Sequence, residues 1–478
     1  MKKFLIIFLS SVILGSCTKN LTDKNIDPRN PSIVPSYSLF TNGQKQMVDL
    51  LATTDVNTNI YRMLAQQWTE TTYTDESNYD IATRDIPTQW WNGFYRDVLK
   101  SYANSKALIA TDVDEAGQKT NELAIVDLME VYSYFYLVTN FGNVPYSEAM
   151  DFDKTQPKYD DAATIYADLL ARINTDIAAL NEAEASFGTA DIIYSGDVAA
   201  WIKFANSLKL KMGILIADSD PATAQSTVES AAPGVFTSND DNAVFKYLSA
   251  PPNTNPAYTD QIQSGRGDFV VTDFFVNQLV ALNDPRIPAY FLQDPNGTYT
   301  GGEYGNSNNF AALSKPTGYD GGPGVFQPNF PAVILSYAEV EFYLAEAAAR
   351  GYNVGGTVQS HYSAAITASI EEWGGTPADA AAYLAQPAVA YATAAGTWQQ
   401  KIGIQEWFAF YNRGYEAWTS WRRLDVPTLV APPDAISDVP VRLVYSTIEQ
   451  NLNKTNFDAA ASAIGGDLVT TKLWFDKQ

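Results

Sequence analysis

The apolar pattern of residues 119–140 constrains the fold of this chain more than any other feature of the sequence. It contains two stripes at helical spacing, formed by Ala124, Leu128, Val131, Phe135 and Val138 and by Ile125, Met129, Tyr132 and Tyr136. Residues three or four apart share one face of an α-helix, so the two stripes together make one wide apolar face. This segment is therefore predicted to be a helix that other elements cover on more than one side.

Helical patterns recur along most of the chain. One helix is predicted over residues 160–180, and another over 197–217 with Asp197 at its N-cap. The segment 336–339 (SYAE) has the capping-box pattern, and its helix is predicted to end at Arg350 and Gly351. Further helices are predicted near residues 37–52, 90–110, 357–373, 399–412 and 444–464. Paired helices of this length predict a mainly α fold with a tetratricopeptide-like helical-repeat scaffold, although the sequence shows no consensus repeat.

Two long segments lack this periodicity and predict a loop-rich, irregular lobe on the helical scaffold. They are residues 70–90 and residues 249–331, and the second is crowded with Gly, Pro, Asn and aromatic residues. Loops longer than about 12 to 15 residues in compact proteins are usually functional or disordered, and this composition favours ordered loops. Within the second segment, 294–297 (DPNG) is typical of a turn.

The charge and the aromatic content limit the classes of partner. The formal net charge of the 478 residues is −23, so the surface repels phosphate backbones and nucleic-acid binding is not expected. Aromatic residues make up 13% of the chain. Tyr and Trp combine an apolar body with a polar tip, which suits a core and a ligand surface equally well.

The N-terminal residues predict export and a lipid anchor. Two lysines, a short apolar run and small residues precede Cys17, which is the only cysteine of the chain. Residues 14–17 (LGSC) resemble a bacterial lipobox, so residues 1–16 are predicted to be a signal peptide and Cys17 the acylated first residue. An ordinary signal peptide with an incidental cysteine is the alternative. Residues 17–35 are then predicted to form a lipidated tether, and residues 36–478 a single domain.

Several segments, in this order along the chain, together resemble the SusD/RagB family and especially its second SusD-like subgroup. They are residues 57–62 (NTNIYR), 66–68 (QQW), 73–79 (YTDESNY), 90–97 (WWNGFYRD), 205–210 (ANSLKL), 283–286 (NDPR), 336–339 (SYAE), 345–347 (AEA), 418–423 (WTSWRR) and 440–443 (PVRL) with Tyr445. The resemblance implies an outer-membrane lipoprotein that captures a nutrient, usually a glycan and in some members a peptide. It also implies a SusC-like TonB-dependent transporter as the partner that the lipoprotein covers as a lid.

The resemblance implies cell-surface exposure as well, although the residues after Cys17 depart from the family pattern. Surface-displayed members often carry acidic residues directly after the acylated cysteine, whereas residues 18–21 here are TKNL. An inward-facing lipoprotein is therefore the alternative orientation.

Family ligand sites lie on aromatic and polar loops, which leads to two groups of predicted ligand-binding residues. The first group comprises Tyr73, Asp75, Asn78, Tyr79, Trp90 and Asn92. Its polar members suit hydrogen bonds with sugar hydroxyls and Trp90 a stacking contact, while the alternative is that Trp90 and Trp91 open a helix and pack in the core.

The second group comprises Tyr258, Phe269, Tyr299, Tyr304, Asn308 and Tyr319. Gly301, Gly302 and Gly305 in the same segment allow the backbone to approach a ligand closely. The alternative is that these tyrosines only fix an irregular loop to the scaffold. Neither group decides between an oligosaccharide and a peptide, because Tyr, Trp, Asn and Asp serve both.

The sequence predicts no catalytic residue, cofactor or metal. His361 is the only histidine, so a multi-histidine zinc site and a Cys–His dyad are not expected. Residues 218–229 resemble a calcium loop, but Ala222 and Thr223 occupy positions that need a ligand and a glycine. Arg422 and Arg423, and Asp284 with Arg286, are assigned to the fold.

A glycoside hydrolase is the competing hypothesis. Such enzymes use two carboxylates about 5 to 9.5 Å apart. Glu70, Asp75 and Glu76 would be the first candidates, and loss of product release in Glu76→Gln would reveal such an activity. With 54 acidic residues in the chain, acidity alone gives this hypothesis no support.

Overall fold

Residues 34–151 and 153–477 are described by the computed structural model of the chain. Cys17 and the predicted tether as far as residue 33 lie outside the described residues. The α-helices are α1 (Ser36–Ala52), α2 (Tyr61–Leu64), α3 (Ile86–Asn92), α4 (Lys100–Asp112), α5 (Ala116–Phe141), α6 (Ala162–Ala179), α7 (Val198–Leu215), α8 (Pro221–Ala231), α9 (Pro256–Tyr258), α10 (Asp273–Ala281), α11 (Ile287–Tyr290), α12 (Tyr337–Ala349), α13 (Val358–Glu372), α14 (Pro377–Leu384), α15 (Trp398–Ala409), α16 (Gly414–Leu424), α17 (Thr447–Leu452) and α18 (Lys454–Ala463). The strands are β1 (Trp68–Glu70), β2 (Val144–Pro145), β3 (Tyr159–Asp160), β4 (Ala243–Phe245), β5 (Phe269–Val271), β6 (Phe291–Leu292), β7 (Lys315–Pro316) and β8 (Ala332–Leu335).

Packed pairs of consecutive helices build the scaffold, as the sequence predicted. Helix α5 packs against α6, α7 against α8, α12 against α13, and α15 against α16. Helix α5 also contacts α1, α4 and α7, and its side chains from 124 to 141 are all buried. The prediction that this helix is covered on several sides is confirmed.

Side-chain caps explain where several helices begin. The Asp197 carboxylate accepts a hydrogen bond from the Ala200 N–H at 3.1 Å, which confirms Asp197 as the N-cap of α7. Ser336 Oγ accepts one from the Glu339 N–H at 3.2 Å. The capping box predicted there is only half formed, because the Glu339 side chain pairs with Lys211 and Arg413 instead. The predicted end of α12 is confirmed by Gly351, whose φ is +86°.

A buried network of charges joins three helices of the scaffold. Lys211 of α7 lies 2.9 Å from Glu339 of α12 and also pairs with Glu416 of α16. Arg413, directly before α16, pairs with Glu339 as well. All three side chains of the Lys211 pairs are at least 95% buried. Such a network holds two cations against two anions, so each charge depends on its partners.

The structure differs from the predicted helices in several places. The predicted 90–110 helix is α3 and α4, joined by a wider π-helical segment over Gly93–Leu99, and the predicted 444–464 helix is divided at Asn453 into α17 and α18. Helix α8 occupies the segment that resembles a calcium loop, with Asp220 as its N-cap. Helix α10 lies inside the segment predicted to be loop, where Thr272 Oγ1 caps the Phe275 N–H at 3.1 Å.

The strands form small antiparallel pairs, of which the β1–β5 pair joins the start of the first irregular segment to the second. The pairs are β1 with β5, β2 with β3, β4 with β8, and β6 with β7. Trp68 of β1 lies opposite Val271 of β5, and Glu70 lies opposite Phe269.

Asp284 and Arg286 form a buried ion pair at 2.6 Å. Arg286 also donates a hydrogen bond to Ser369 of α13 at 2.9 Å, so this turn is attached to the scaffold. Among the described residues no helix is both long and apolar enough to cross a membrane.

Candidate functional site

The two segments predicted to be loops lie side by side in the structure. Beyond the β1–β5 pair, the Thr71 N–H donates to the Asp268 carbonyl and the Asn308 N–H donates to the Thr71 carbonyl, both at 2.9 Å. These bonds connect the chain near residue 71 with residues 268 and 308. The predicted loops are thus one structural unit.

A third segment, around residues 430–436, completes this unit and was missed by the sequence analysis. The Ile436 N–H donates to the Asn78 carbonyl at 3.0 Å, and Gln66 Nε2 donates to the Val430 carbonyl at 2.8 Å. A Cβ atom added to Gly305 would lie 2.4 Å from Pro432, and its φ is +79°. The prolines at 427, 432 and 433 mark an irregular segment, but nothing in the sequence says which loops it meets.

The unit carries apolar side chains that point into solvent. We call the surface formed by residues 72–78, 303–309 and 430–436 the tri-loop surface. Tyr73, Val430 and Ile436 are 67%, 69% and 68% exposed. Hydrogen bonds hold the segments that carry these side chains together, and exposed apolar patches mark sites of interaction.

The predicted residues of the first group divide into exposed and buried members. Tyr73 and Asp75 are exposed, and Asn92 is partly buried. Asn78 is buried, and its Nδ2 donates to the Thr74 and Gly305 carbonyls at 2.8 and 2.7 Å. The hydroxyl of buried Tyr79 accepts a hydrogen bond from Gln66 Nε2 at 3.0 Å, and burial raises its pKa.

Trp90 lies in the aromatic core rather than on the surface. Its ring has no exposed area and lies 4.8 Å from the Tyr61 ring and 5.2 Å from the Phe94 ring. Trp91, next to it, packs edge-on against Phe141 at 5.1 Å. This is the alternative arrangement that the sequence left open for the two tryptophans.

The second group mostly fixes the lobe. Tyr304 donates to the Met63 carbonyl at 2.8 Å, Tyr319 donates to Gln261 Oε1 at 2.8 Å, and the Phe269 ring lies 5.4 Å from the Trp68 ring. Asn308 Nδ2 donates to the Glu70 carbonyl at 3.0 Å. Tyr258 and Tyr299 are the least constrained members, and both are partly exposed.

A buried carboxyl pair, Glu70 and Glu76, lies at the start of the loop that carries Tyr73. Glu70 Oε2 accepts hydrogen bonds from the N–H and the hydroxyl of Ser77, and Glu76 Oε1 lies 2.9 Å from Arg84 Nη1. Burial and the neighbouring Glu76 raise the pKa of Glu70 to about 9, and burial also raises the pKa of Glu76. Glu70 therefore carries a proton at neutral pH, and the pair holds the loop between residues 70 and 84 in place.

This geometry has no open space for a glycosidic bond between the two carboxyls. Glu70 is 3% exposed and Glu76 is fully buried, so their oxygens serve the loop rather than a bound molecule. Among the described residues, no group of three His, Cys, Asp or Glu side chains is placed to hold a metal ion.

Comparison with known proteins gives a consistent result. A family model of the second SusD-like type, described as "Starch-binding associating with outer membrane", matches residues 28–446. A solved structure described as a chitin-binding protein is 26% identical, with a TM-score of 0.81 over 93% of this chain and 100% of that one. A search of curated proteins found no match.

Two further solved structures share the fold at lower identity. A chitin-binding SusD homolog from Flavobacterium johnsoniae is 23% identical, with a TM-score of 0.78 over 91% of this chain and 98% of that one. A SusD homolog from Bacteroides fragilis is 21% identical, with a TM-score of 0.78 over 93% of this chain and 100% of that one.

Proposed function

This chain belongs to the SusD-like family, and from that premise we propose that it captures an oligosaccharide at the outer membrane and delivers it to a SusC-like TonB-dependent transporter. In this proposal the protein is anchored through lipids on Cys17, exposed on the cell surface, and binds its ligand without changing it chemically. The transporter and the lipid anchor rest on the family resemblance and on the first residues of the sequence.

The observation that carries the proposal is the tri-loop surface. Three segments far apart in sequence are hydrogen-bonded into one unit, and together they carry the exposed side chains of Tyr73, Asp75 and Asn309. An aromatic face next to carboxylate and amide groups suits a sugar, whose ring has apolar faces and hydroxyl edges. By analogy with base stacking, one such ring contributes about 1 to 3 kcal/mol.

The comparisons support an oligosaccharide over a peptide. The family description names starch, and the 26%-identical structure is described as chitin-binding. Both glycans are chains of six-membered sugar rings, so each presents repeated faces for stacking. Chitin and starch oligosaccharides are therefore the first ligands to test, with peptide mixtures as the alternative class.

A non-catalytic role is supported by the arrangement of the acidic residues. Glu70 and Glu76 are buried, and Arg84 bridges Glu76 and the exposed Asp75. The three candidates of the hydrolase hypothesis are thus engaged with the loop itself. A carboxylate that activates water needs access to it.

The test is calorimetry of residues 18–478 with chitin oligosaccharides, starch oligosaccharides and peptide mixtures, with products analysed in parallel. We expect saturable binding of one glycan class and recovery of the intact oligosaccharide. Binding of peptides alone would show that the ligand is a peptide and not an oligosaccharide. Product release that disappears in Glu76→Gln would show that the protein is a glycoside hydrolase.

A further inference from the structure

A partly enclosed cavity of about 220 Å³ lies between the helical scaffold and the irregular lobe, away from the tri-loop surface. Its wall includes Ala52 at the end of α1, Val333 of β8, and Trp373 directly after α13. Sites for drug-sized ligands usually measure about 300 to 1,000 Å³. The cavity is therefore of a size for one ring and its substituents, and not for an oligosaccharide.

Both signs of charge occur in the cavity wall. Arg62 and Arg413 contribute guanidinium groups, and Glu372 and Glu416 contribute carboxylates. Glu416 is bound to Lys211, and Arg413 to Glu339. A ligand with a net charge would meet a like charge in this wall, so the wall favours a neutral ligand.

Several polar atoms of this wall make no hydrogen bond within the described part of the chain. Arg62 Nε donates to Asn412 Oδ1 at 2.8 Å, but no hydrogen bond within the described chain involves Asn412 Nδ2 or the Glu372 carboxylate. Arg413 Nε is buried and also unbonded within this part of the chain. Arg413 Nε and the half-buried Asn412 Nδ2 are therefore two donors, and the half-buried Glu372 carboxylate an acceptor, that a bound molecule can use.

An aromatic side chain lies beside these groups. The Trp373 ring packs edge-on against Tyr290 at 4.6 Å and lies 6.0 Å from the Phe330 ring, which lines the same cavity. These contacts fix the ring orientation. A small apolar face and free hydrogen-bonding groups of both kinds thus come together in one enclosed space.

We propose that this cavity is a second binding site, which takes a single neutral polyhydroxylated ring such as a monosaccharide. The ring would donate hydroxyl hydrogens to Glu372, accept from Asn412 and Arg413, and place an apolar face against Trp373. The site shares no residue with the tri-loop surface, so its occupation does not depend on the oligosaccharide site.

The test is saturation-transfer NMR of residues 18–478 with glucose and with N-acetylglucosamine. We expect saturable binding of at least one of them. Val333→Phe fills the cavity and should weaken that binding at least tenfold, and Glu372→Gln should weaken it severalfold while leaving the shape unchanged. The exposed neighbour Glu371→Gln is the matched control and should have no effect.

The pH dependence gives an independent readout. Burial raises the pKa of Glu372 to about 7, with Arg413 opposing and Glu339 adding to the shift, and Arg62 and Glu416 line the same cavity. Since a hydroxyl binds the ionised carboxylate better, monosaccharide affinity should fall as pH falls through about 7, and Glu372→Gln should abolish this dependence.

Tyr73→Ala separates the two sites, because it should leave monosaccharide binding unchanged. Absence of saturable binding of both sugars would overturn the proposal. Binding that is lost in Tyr73→Ala and kept in Val333→Phe would also overturn it, since the sugars would then occupy the tri-loop surface. Circular dichroism checks the fold of each variant, and if Val333→Phe is unfolded the comparison of Glu372→Gln with Glu371→Gln decides.

Discussion

Single residues in the loop between residues 70 and 84 show how burial changes the chemistry of a side chain. Tyr73 and Tyr79 belong to one short polar segment, yet Tyr73 is exposed and Tyr79 is buried beside Tyr304. Both are tyrosines among polar neighbours, so the sequence could place them in a site but could not tell them apart. Tyr79 contacts Gln66 and Tyr304, and Tyr304 lies more than two hundred positions away in the sequence.

The buried Glu70 carboxyl leads to a prediction about stability and pH. In the folded chain its pKa is raised to about 9 from an ordinary value of 4.5, so between these values the folded state binds more protons than the unfolded state. The free energy of unfolding contributed by Glu70 is therefore fully present below about pH 4.5 and is lost as pH rises to about 9. Glu70→Gln cannot lose a proton and should show a smaller fall in melting temperature over this range.

Thermal melts at several pH values check this prediction, with the exposed Glu303→Gln as the control. The control should follow the parent chain. An identical pH dependence in Glu70→Gln and the parent would show that Glu70 does not hold a proton in the folded protein.

At the level of helices and strands, the sequence was informative wherever local signals set the structure. The apolar stripes of α5 and the Asp197 cap lie within their own helix, and both predictions are confirmed. The strands span two to four residues, which is too short for an alternating pattern. Helix α10 was not predicted, because it spans only nine residues within a segment rich in Gly, Pro and Asn.

The buried charges that join three helices give a second prediction. Lys211→Met removes the cation between Glu339 and Glu416, so Arg413 is left to balance two buried carboxylates. Breaking one partner of a buried ion pair costs about 3 to 5 kcal/mol of the free energy of unfolding. Urea denaturation measures this loss.

Lys203→Met on the same helix is the matched control. Lys203 is 39% exposed and pairs with Asp241, so its loss should cost at most about 1 kcal/mol. Equal effects of the two variants would mean that the buried network does not hold the helices together.

At the level of the whole molecule, the elements of the helical scaffold and of the lobe contact one another from α1 to α18. The fold was predicted from several short segments that resemble the family and follow one another in the family's order. The family match confirms this prediction. The tri-loop surface could be predicted only in part, because residues 430–436 join it through backbone hydrogen bonds that carry no sequence signal. The cavity beside Trp373 was not predicted either, because its wall is made of residues between 51 and 416 that meet only in the folded chain.

The anchoring of the whole molecule gives a third prediction. Cys17→Ala should move the protein from the membrane fraction to the soluble fraction, because no acyl chains would then hold it. Several acyl chains make a lasting anchor, whereas charge-based attachment is released by salt. Retention of Cys17→Ala in salt-washed membranes would contradict a lipid anchor at this residue.

Purification of the parent chain from its native membrane tests the transporter partner. If no large barrel protein is purified with it, the proposed partnership is contradicted.

Calorimetry of Tyr73→Ala with the glycan that the parent chain binds shows whether an oligosaccharide is captured on the tri-loop surface. We expect a loss of affinity of about 5- to 150-fold, which corresponds to one stacking ring of about 1 to 3 kcal/mol. Tyr37→Ala, which removes a tyrosine 52% exposed on the scaffold, should bind as the parent does. Unchanged affinity in Tyr73→Ala, or an equal loss in Tyr37→Ala, would show that the glycan does not bind on the tri-loop surface.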